Sequence, residues 1–172
     1  MRKTRILGQG LEVSAIGLGC MGMDHAYGAP ADREEMIKLI RHAVTLGCNF
    51  FDTAVVYGEA NEVLLGKALE IFPRDEVIIA TKFGIYGQEI VDGKPQNILN
   101  SKPDSIREQL EGSLKRLGVD YIDLYYQHRV DPEVEPEIVA SVMKELIAKG
   151  KIKHWGLSNA PLDYLKRAHS VC

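Results

Sequence analysis

The spacing of apolar residues changes period several times along the chain, and each change marks an element. Residues 4–13, TRILGQGLEV, alternate on both sides of Gly8-Gln9-Gly10 and predict a hairpin. Residues 14–18 predict a strand. Asp32 then reads as a helix N-cap, with Glu35 completing a capping box. Met36, Ile37, Ile40, Ala43 and Val44 fall on one helical face, which Gly47 stops. Residues 49–52 return to a strand. Asn61 reads as the cap of a second helix, carrying Leu65, Leu69 and Phe72 at helical spacing and ended by Pro73. Residues 77–82 are a third strand. Residues 84–100 hold Gly84, Gly87, Gly93 and Pro95 with little periodicity, and predict a long, mobile loop. Ser101 with Asp104 reads as the next cap, before Ile106, Leu110, Leu114, Leu117 and the stop at Gly118. A strand over 122–127 follows. Pro136 then opens a helix of Ile138, Val139, Val142, Leu146 and Ile147, stopped by Gly150. The last strand is 152–157, with Asn159 as cap of a helix starting near Pro161.

Five strands, each followed by a helix, imply a parallel α/β sheet with right-handed crossovers. The closed form of that pattern is a (β/α)8 barrel, which needs eight units and about 250 residues. The 172 residues supply about five units. The expectation is therefore a partial barrel in one domain, 1–172, with the N-terminal hairpin capping the barrel floor. It reads as a barrel cut after its fifth unit. The first and fifth strands would then be open edges that favour self-association.

Composition narrows the function. The net charge of −3, with both signs interspersed, gives nothing that favours nucleic acid or an acidic membrane surface. No apolar run is long enough to span a bilayer, and no signal peptide is legible. Cys20, Cys48 and Cys172 form no CxxC pair and are odd in number, which points to a reducing cytoplasm without a disulfide framework. The scattered histidines have no metal-ligand spacing, and His42 and His169 sit in helical patterns as surface residues.

The candidate chemistry lies at strand ends. A carboxylate closing a buried strand, as Asp52 does, needs a cation. Lys82, at the abrupt end of VIIATK, supplies one. Tyr57, five residues after Asp52, is close enough to share it. His128 follows the strand IDLYYQ. Strand ends and the loops after them converge on one face of a parallel barrel. A lysine ammonium about 4 Å from a tyrosine oxygen favours the phenolate by roughly 4 kcal/mol at an effective dielectric near 20. A structural ion pair, a core tyrosine and a satisfied histidine are the plain alternatives for these residues taken singly. The glycine-rich stretch 19–23 lets backbone approach a ligand, which brings in Cys20 and Met21. Tyr27, Tyr86 and Arg129 lie on loops at the same face and are candidates for the substrate pocket.

In this order, DTAVVYG, ATKFG and LYYQH resemble the aldo-keto reductase family, and GLSN at 156–159 is similar to that family's nicotinamide-binding segment. The resemblance runs from about residue 5 to the C-terminus. It implies NAD(P)H-dependent reduction of aldehydes or ketones, with NADPH as cofactor and NADH not excluded. Tyr57 would be the general acid and Lys82 the cation that activates it. Asp52 would keep Lys82 charged and aimed, and His128 would bond the carbonyl oxygen or help relay the proton. Ser158 and Asn159 would hold the nicotinamide carboxamide, although either could be a plain helix cap. The resemblance also puts the family's pyrophosphate and adenosine contacts in later strands, so this chain alone is expected to bind NADPH weakly and to reduce aldehydes poorly or not at all. Two other readings fit the same residues: a nicotinamide-binding regulatory subunit and an inactive, self-associating half-barrel.

Overall fold

The computed structural model describes residues 3–23 and 31–172. Its centre is a five-stranded parallel sheet of β3 (Leu18–Gly19), β4 (Phe50–Asp52), β5 (Ile78–Phe83), β8 (Ile122–Gln127) and β9 (Ile152–Leu157). The spatial order is the chain order, so every crossover joins adjacent strands. The crossover helices are α1 (Arg33–Thr45), α2 (Glu59–Leu69), α3 (Pro103–Leu117) and α4 (Pro136–Ala148), and α5 (Leu162–His169) follows β9. This is five consecutive units of a (β/α)8 barrel, with β3 and β9 as the edges of the sheet. Among the described residues, no helix is long and apolar enough to cross a membrane.

The period of two in the strands sorts side chains between the faces. Phe51, Ile79, Phe83 and Tyr125 point to the helices. There they join Ile40, Leu65, Ile106, Leu110 and Met143 in the main core. Phe50, Ile78, Ala80, Leu124 and Tyr126 point to the other face. The predicted hairpin, β1 (Thr4–Leu7) and β2 (Leu11–Ser14), lays Leu7, Leu11 and Val13 on these residues. Asp52 and Lys82 continue the inward parity at the C-terminal strand ends.

Several local expectations are corrected. The first barrel strand is not 14–18. Ser14 belongs to the hairpin, where its amide donates to Asn49 Oδ1 (2.6 Å) and its hydroxyl accepts from Asn49 N (3.1 Å). Residues 84–100 are not a loop but a second hairpin, β6 (Ile85–Val91) and β7 (Lys94–Leu99). Its turn is Asp92-Gly93, with φ of 51° and 75°. Positive φ at both central residues is what a two-residue hairpin turn requires, and Asp-Gly is a strong signal for it. Counting glycines hid that signal. Helix starts differ too. Asp32 caps α1 by accepting from Glu35 N at 2.9 Å, as expected. Asn61, however, lies inside α2, Lys102 rather than Ser101 precedes α3, and Pro161 rather than Asn159 precedes α5. Ile138 is exposed, and Met143 takes the core position on α4.

Helices α2 and α3 cross closely because Gly66 has no side chain. A Cβ built there would stand 2.3 Å from Leu117 O. The obstacle is backbone, which cannot rotate away. Gly66→Ala is therefore expected to lower stability by about 1–3 kcal/mol, the usual cost of overpacking. Urea unfolding checks it, as a lower midpoint at unchanged slope.

Candidate active site

The Lys82 side chain is almost wholly buried and has three acceptors. Its ammonium contacts Asp52 Oδ1, donates to Thr53 O at 2.8 Å and donates to Tyr57 Oη at 3.4 Å. The strands dictate this meeting. Asp52 pairs in register with Ala80, two residues before Lys82 on the same face. Tyr57 sits on a 3-10 turn, Val55–Tyr57, that folds back over the strand ends before α2 begins. His128 extends β8 by donating its amide to Phe83 O (2.8 Å), and its ring meets the Tyr57 ring edge-on at 5.9 Å between centroids. Asp52, Tyr57, Lys82 and His128, predicted separately from four places in the sequence, form one cluster.

Electrostatics set the protonation states. Burial holds the His128 imidazole down at about 4, helped by the charges of Lys82 and Arg129. At neutral pH it is an uncharged donor and acceptor. Burial raises the Asp52 carboxyl above 3.8 despite the opposing pull of Lys82. Tyr126, half-buried and near Asp52, is raised above the ordinary tyrosine value, chiefly by its partial burial.

The remaining candidates separate. Ser158 extends the inner face, its amide donating to Gln127 O (2.9 Å). Asn159 follows at φ 54° and is exposed. Arg129 lies between His128 and Ser158. Its Nη1 donates to His128 O (2.6 Å) and lies 3.4 Å from Ser158 Oγ. It has no carboxylate partner among the described residues. A cavity of about 540 Å³ runs along the inner face past Gly19, Phe50, Asp52, Lys82, Tyr126 and Ser158. Met21 is half-buried in the 3-10 turn Met21–Met23. Cys20 does not fit its expected part. Its thiol is buried in the helix-side core and pushed up to about 12, chiefly by burial. Its amide donates to Asp52 O and its carbonyl accepts from Asn61, so both backbone groups serve the fold. Tyr86 is exposed on β6, the hairpin strand beside the Tyr57 turn. Tyr27 lies outside the described residues.

Sequence reasoning missed a second polar shell. Asn61, Glu62, Thr53 and Thr81 are all fully buried. The legible signal was helical phase: Asn61 is four residues before Leu65, on the face that enters the core.

Residues 15–172 match the profile of the Aldo/keto reductase family. The chain belongs to that family. It is 48% identical over 164 residues to a probable aldo-keto reductase 1 of Glycine max, covering 95% of this chain and 46% of that protein. The fold matches the thermostable aldo-keto reductase Tm1743 in complex with the inhibitor epalrestat, with TM-score 0.84 and 32% identity over 98% of this chain and 58% of that one. It also matches an aldo-keto reductase from Klebsiella pneumoniae in complex with NADPH, with TM-score 0.80 and 28% identity over the whole of this chain and 55% of that one. This aldo/keto reductase chain thus spans about half the length of the relatives it matches.

The low value for His128 has a consequence for stability. The unfolded chain takes up this proton below 6.5, the folded one only below about 4. Stability from this group is present above pH 6.5 and lost as pH falls through 4. Asp52 acts in the opposite sense, since its raised value favours the fold at low pH and the gain is lost as pH rises through it. His128→Gln is therefore expected to flatten the acid-side fall in stability between pH 6.5 and 4. Urea midpoints across that range check it, and an unchanged slope would contradict the assignment.

Proposed function

We propose that this chain carries the proton-donating centre of an NADPH-dependent reductase of aldehydes or ketones. The observation that carries the reading is the Lys82 ammonium bound at once to Asp52, Thr53 O and the Tyr57 hydroxyl, with neutral His128 edge-on to the same tyrosine. Bound reduced nicotinamide would supply hydride to the carbonyl carbon. The chain's own residues supply the proton and the setting for it. Tyr57 donates from Oη to the carbonyl oxygen as charge develops there. Lys82, with a proton aimed at Tyr57, stabilises the phenolate left behind. Asp52 keeps Lys82 charged and in place. His128 bonds the carbonyl oxygen and orients it towards Tyr57.

The residues suit a nicotinamide. The cavity joins Asp52 and Lys82 to Ser158, and its volume is within the range of small-molecule sites. Ser158 and Asn159 offer a hydroxyl and an amide, the donor and acceptor set that a carboxamide needs. Met21 lies beside the strand end opposite them. Cys20 is left out of the cofactor set for the reasons given above. NADPH is favoured over NADH by the relative from Klebsiella pneumoniae solved with NADPH. Tyr86 and Arg129 are the pocket residues on the substrate side, and Arg129 brings a guanidinium without a carboxylate partner among the described residues.

Tyr57→Phe tests the assignment. It removes one oxygen and leaves the ring contact with His128. With NADPH and 4-nitrobenzaldehyde, kcat is expected to fall by about 10²–10⁴, the usual contribution of a general acid. Lys82→Met acts on the same step, so the double variant should be little worse than either single one. Wild-type turnover in Tyr57→Phe would remove the tyrosine from the mechanism. An unmutated chain that binds NADPH without turnover would favour a regulatory nicotinamide-binding role.

A further inference from the structure

Behind the tetrad, the first turns of α2 reach into the sheet with two buried polar side chains. Asn61 Nδ2 donates to Cys20 O at 2.9 Å, and Asn61 Oδ1 accepts from Thr53 Oγ1 at 2.7 Å. Glu62 accepts from Thr81 Oγ1 at 2.7 Å and from Arg116 Nε at 2.6 Å. Burying an amide and a carboxylate is unfavourable unless they are bonded, and an apolar pair would fill the same space more cheaply. The partners show what the polar groups accomplish. Cys20 is the residue whose amide donates to Asp52 O (2.8 Å). Thr53 is the residue whose carbonyl holds Lys82 (2.8 Å). Thr81 immediately precedes Lys82. The helix that begins directly after Tyr57 is thus fastened to the neighbours of Asp52 and Lys82.

We infer that Asn61 is a positioning residue for the proton-donating centre, acting through Thr53. Thr53 is fixed at three points. Its amide donates to Ala80 O (2.9 Å), its hydroxyl donates to Asn61 and its carbonyl faces Lys82. The hydroxyl bond sets the rotation of the Thr53 peptide about the strand end. That rotation decides whether the carbonyl points at the ammonium. With the bond lost, Lys82 keeps Asp52 but loses a directed acceptor, and its distance to Tyr57 is no longer fixed. Glu62 adds the corresponding restraint on β5. This inference concerns the geometry of Lys82 and rests on the proposed function only in calling that geometry productive.

The test uses Thr53→Val, which deletes the hydroxyl at nearly constant shape, with Asn61→Leu as the partner deletion and Thr53→Ser as the conservative control. The direct readout is the acetylation rate of Lys82, followed by peptide mass spectrometry on the folded full chain, with exposed Lys144 as internal reference. Thr53→Val and Asn61→Leu are expected to raise Lys82 labelling about fivefold relative to Lys144, the scale of one lost buried hydrogen bond. Thr53→Ser should label as wild type does. Where turnover is measurable, kcat should fall with KM little changed in the two deletions and recover in Thr53→Ser. Equal Lys82 labelling in all four proteins overturns the inference. So does a rise in Thr53→Val that Thr53→Ser shares, because the hydroxyl would then be irrelevant, and so does a rise common to every lysine, which marks general loosening. Lys82 labelling does not depend on turnover. A wild-type chain without reductase activity but with the expected labelling would sink the proposed activity and leave the positioning role standing.

Discussion

The structure is arranged around one buried ammonium. Lys82 ends the central stretch of an apolar sheet, where a charge without partners would cost several kcal/mol. Three acceptors converge on it, and they come from β4, from the peptide just beyond β4 and from the following 3-10 turn. The Asp52 side chain is 33% exposed, so removing it would cost less than the roughly 3–5 kcal/mol typical of a fully buried pair, yet still a sizeable part of the about 5–15 kcal/mol that holds a domain together. The strand register and the path of the chain after β4 are therefore constrained by the same contacts that set up the chemistry. Stability and site geometry are coupled here through a single side chain.

That coupling explains what could be read from the sequence. Asp52 and Lys82 were legible because a charge closing an apolar strand stands out and implies a partner. The five strand–helix units were legible from period alone, since Leu110, Leu114 and Leu117 repeat with a period that only a helix satisfies. The tetrad was legible as a set because its members follow strand ends, which gather on one face in a parallel barrel. The hairpin at 85–99 was missed because its Gly and Pro content was weighed as disorder, while Asp92-Gly93, the residue pair that fixes the turn, was passed over. Asn61 was misread for a related reason. A polar residue near a helix start resembles a cap, and only its phase relative to Leu65 and Ala68 shows that it faces inward. Cys20 was assigned from a glycine-rich neighbourhood, which reports backbone freedom but not the direction of a side chain. Buried polar contacts between distant elements, such as Glu62 with Thr81 and Arg116, have no local signature and became visible only with the fold.

Membership of the aldo/keto reductase family and the geometry at Lys82 support each other from separate grounds. The family match rests on the whole of residues 15–172. The geometry rests on a few hydrogen bonds at the ends of β4 and β5. The low value of His128 adds a chemical point. An imidazole uncharged across the neutral range can bond a carbonyl oxygen without repelling Lys82, which fits the proposed role of Tyr57 as proton donor. The account makes the tyrosine the donor and the histidine the aligning group because burial, more than any single charge, keeps His128 neutral.

The central claim is that these residues deliver a proton to a carbonyl whose carbon receives hydride from reduced nicotinamide. Its most direct test is isotopic. The chain is incubated with an aromatic aldehyde and NADPH deuterated at the hydride-bearing carbon, and the alcohol is analysed by mass spectrometry. The account predicts one deuterium on the carbinol carbon, derived from the cofactor and independent of solvent isotope. Alcohol formed without cofactor-derived deuterium on the carbinol carbon would contradict it.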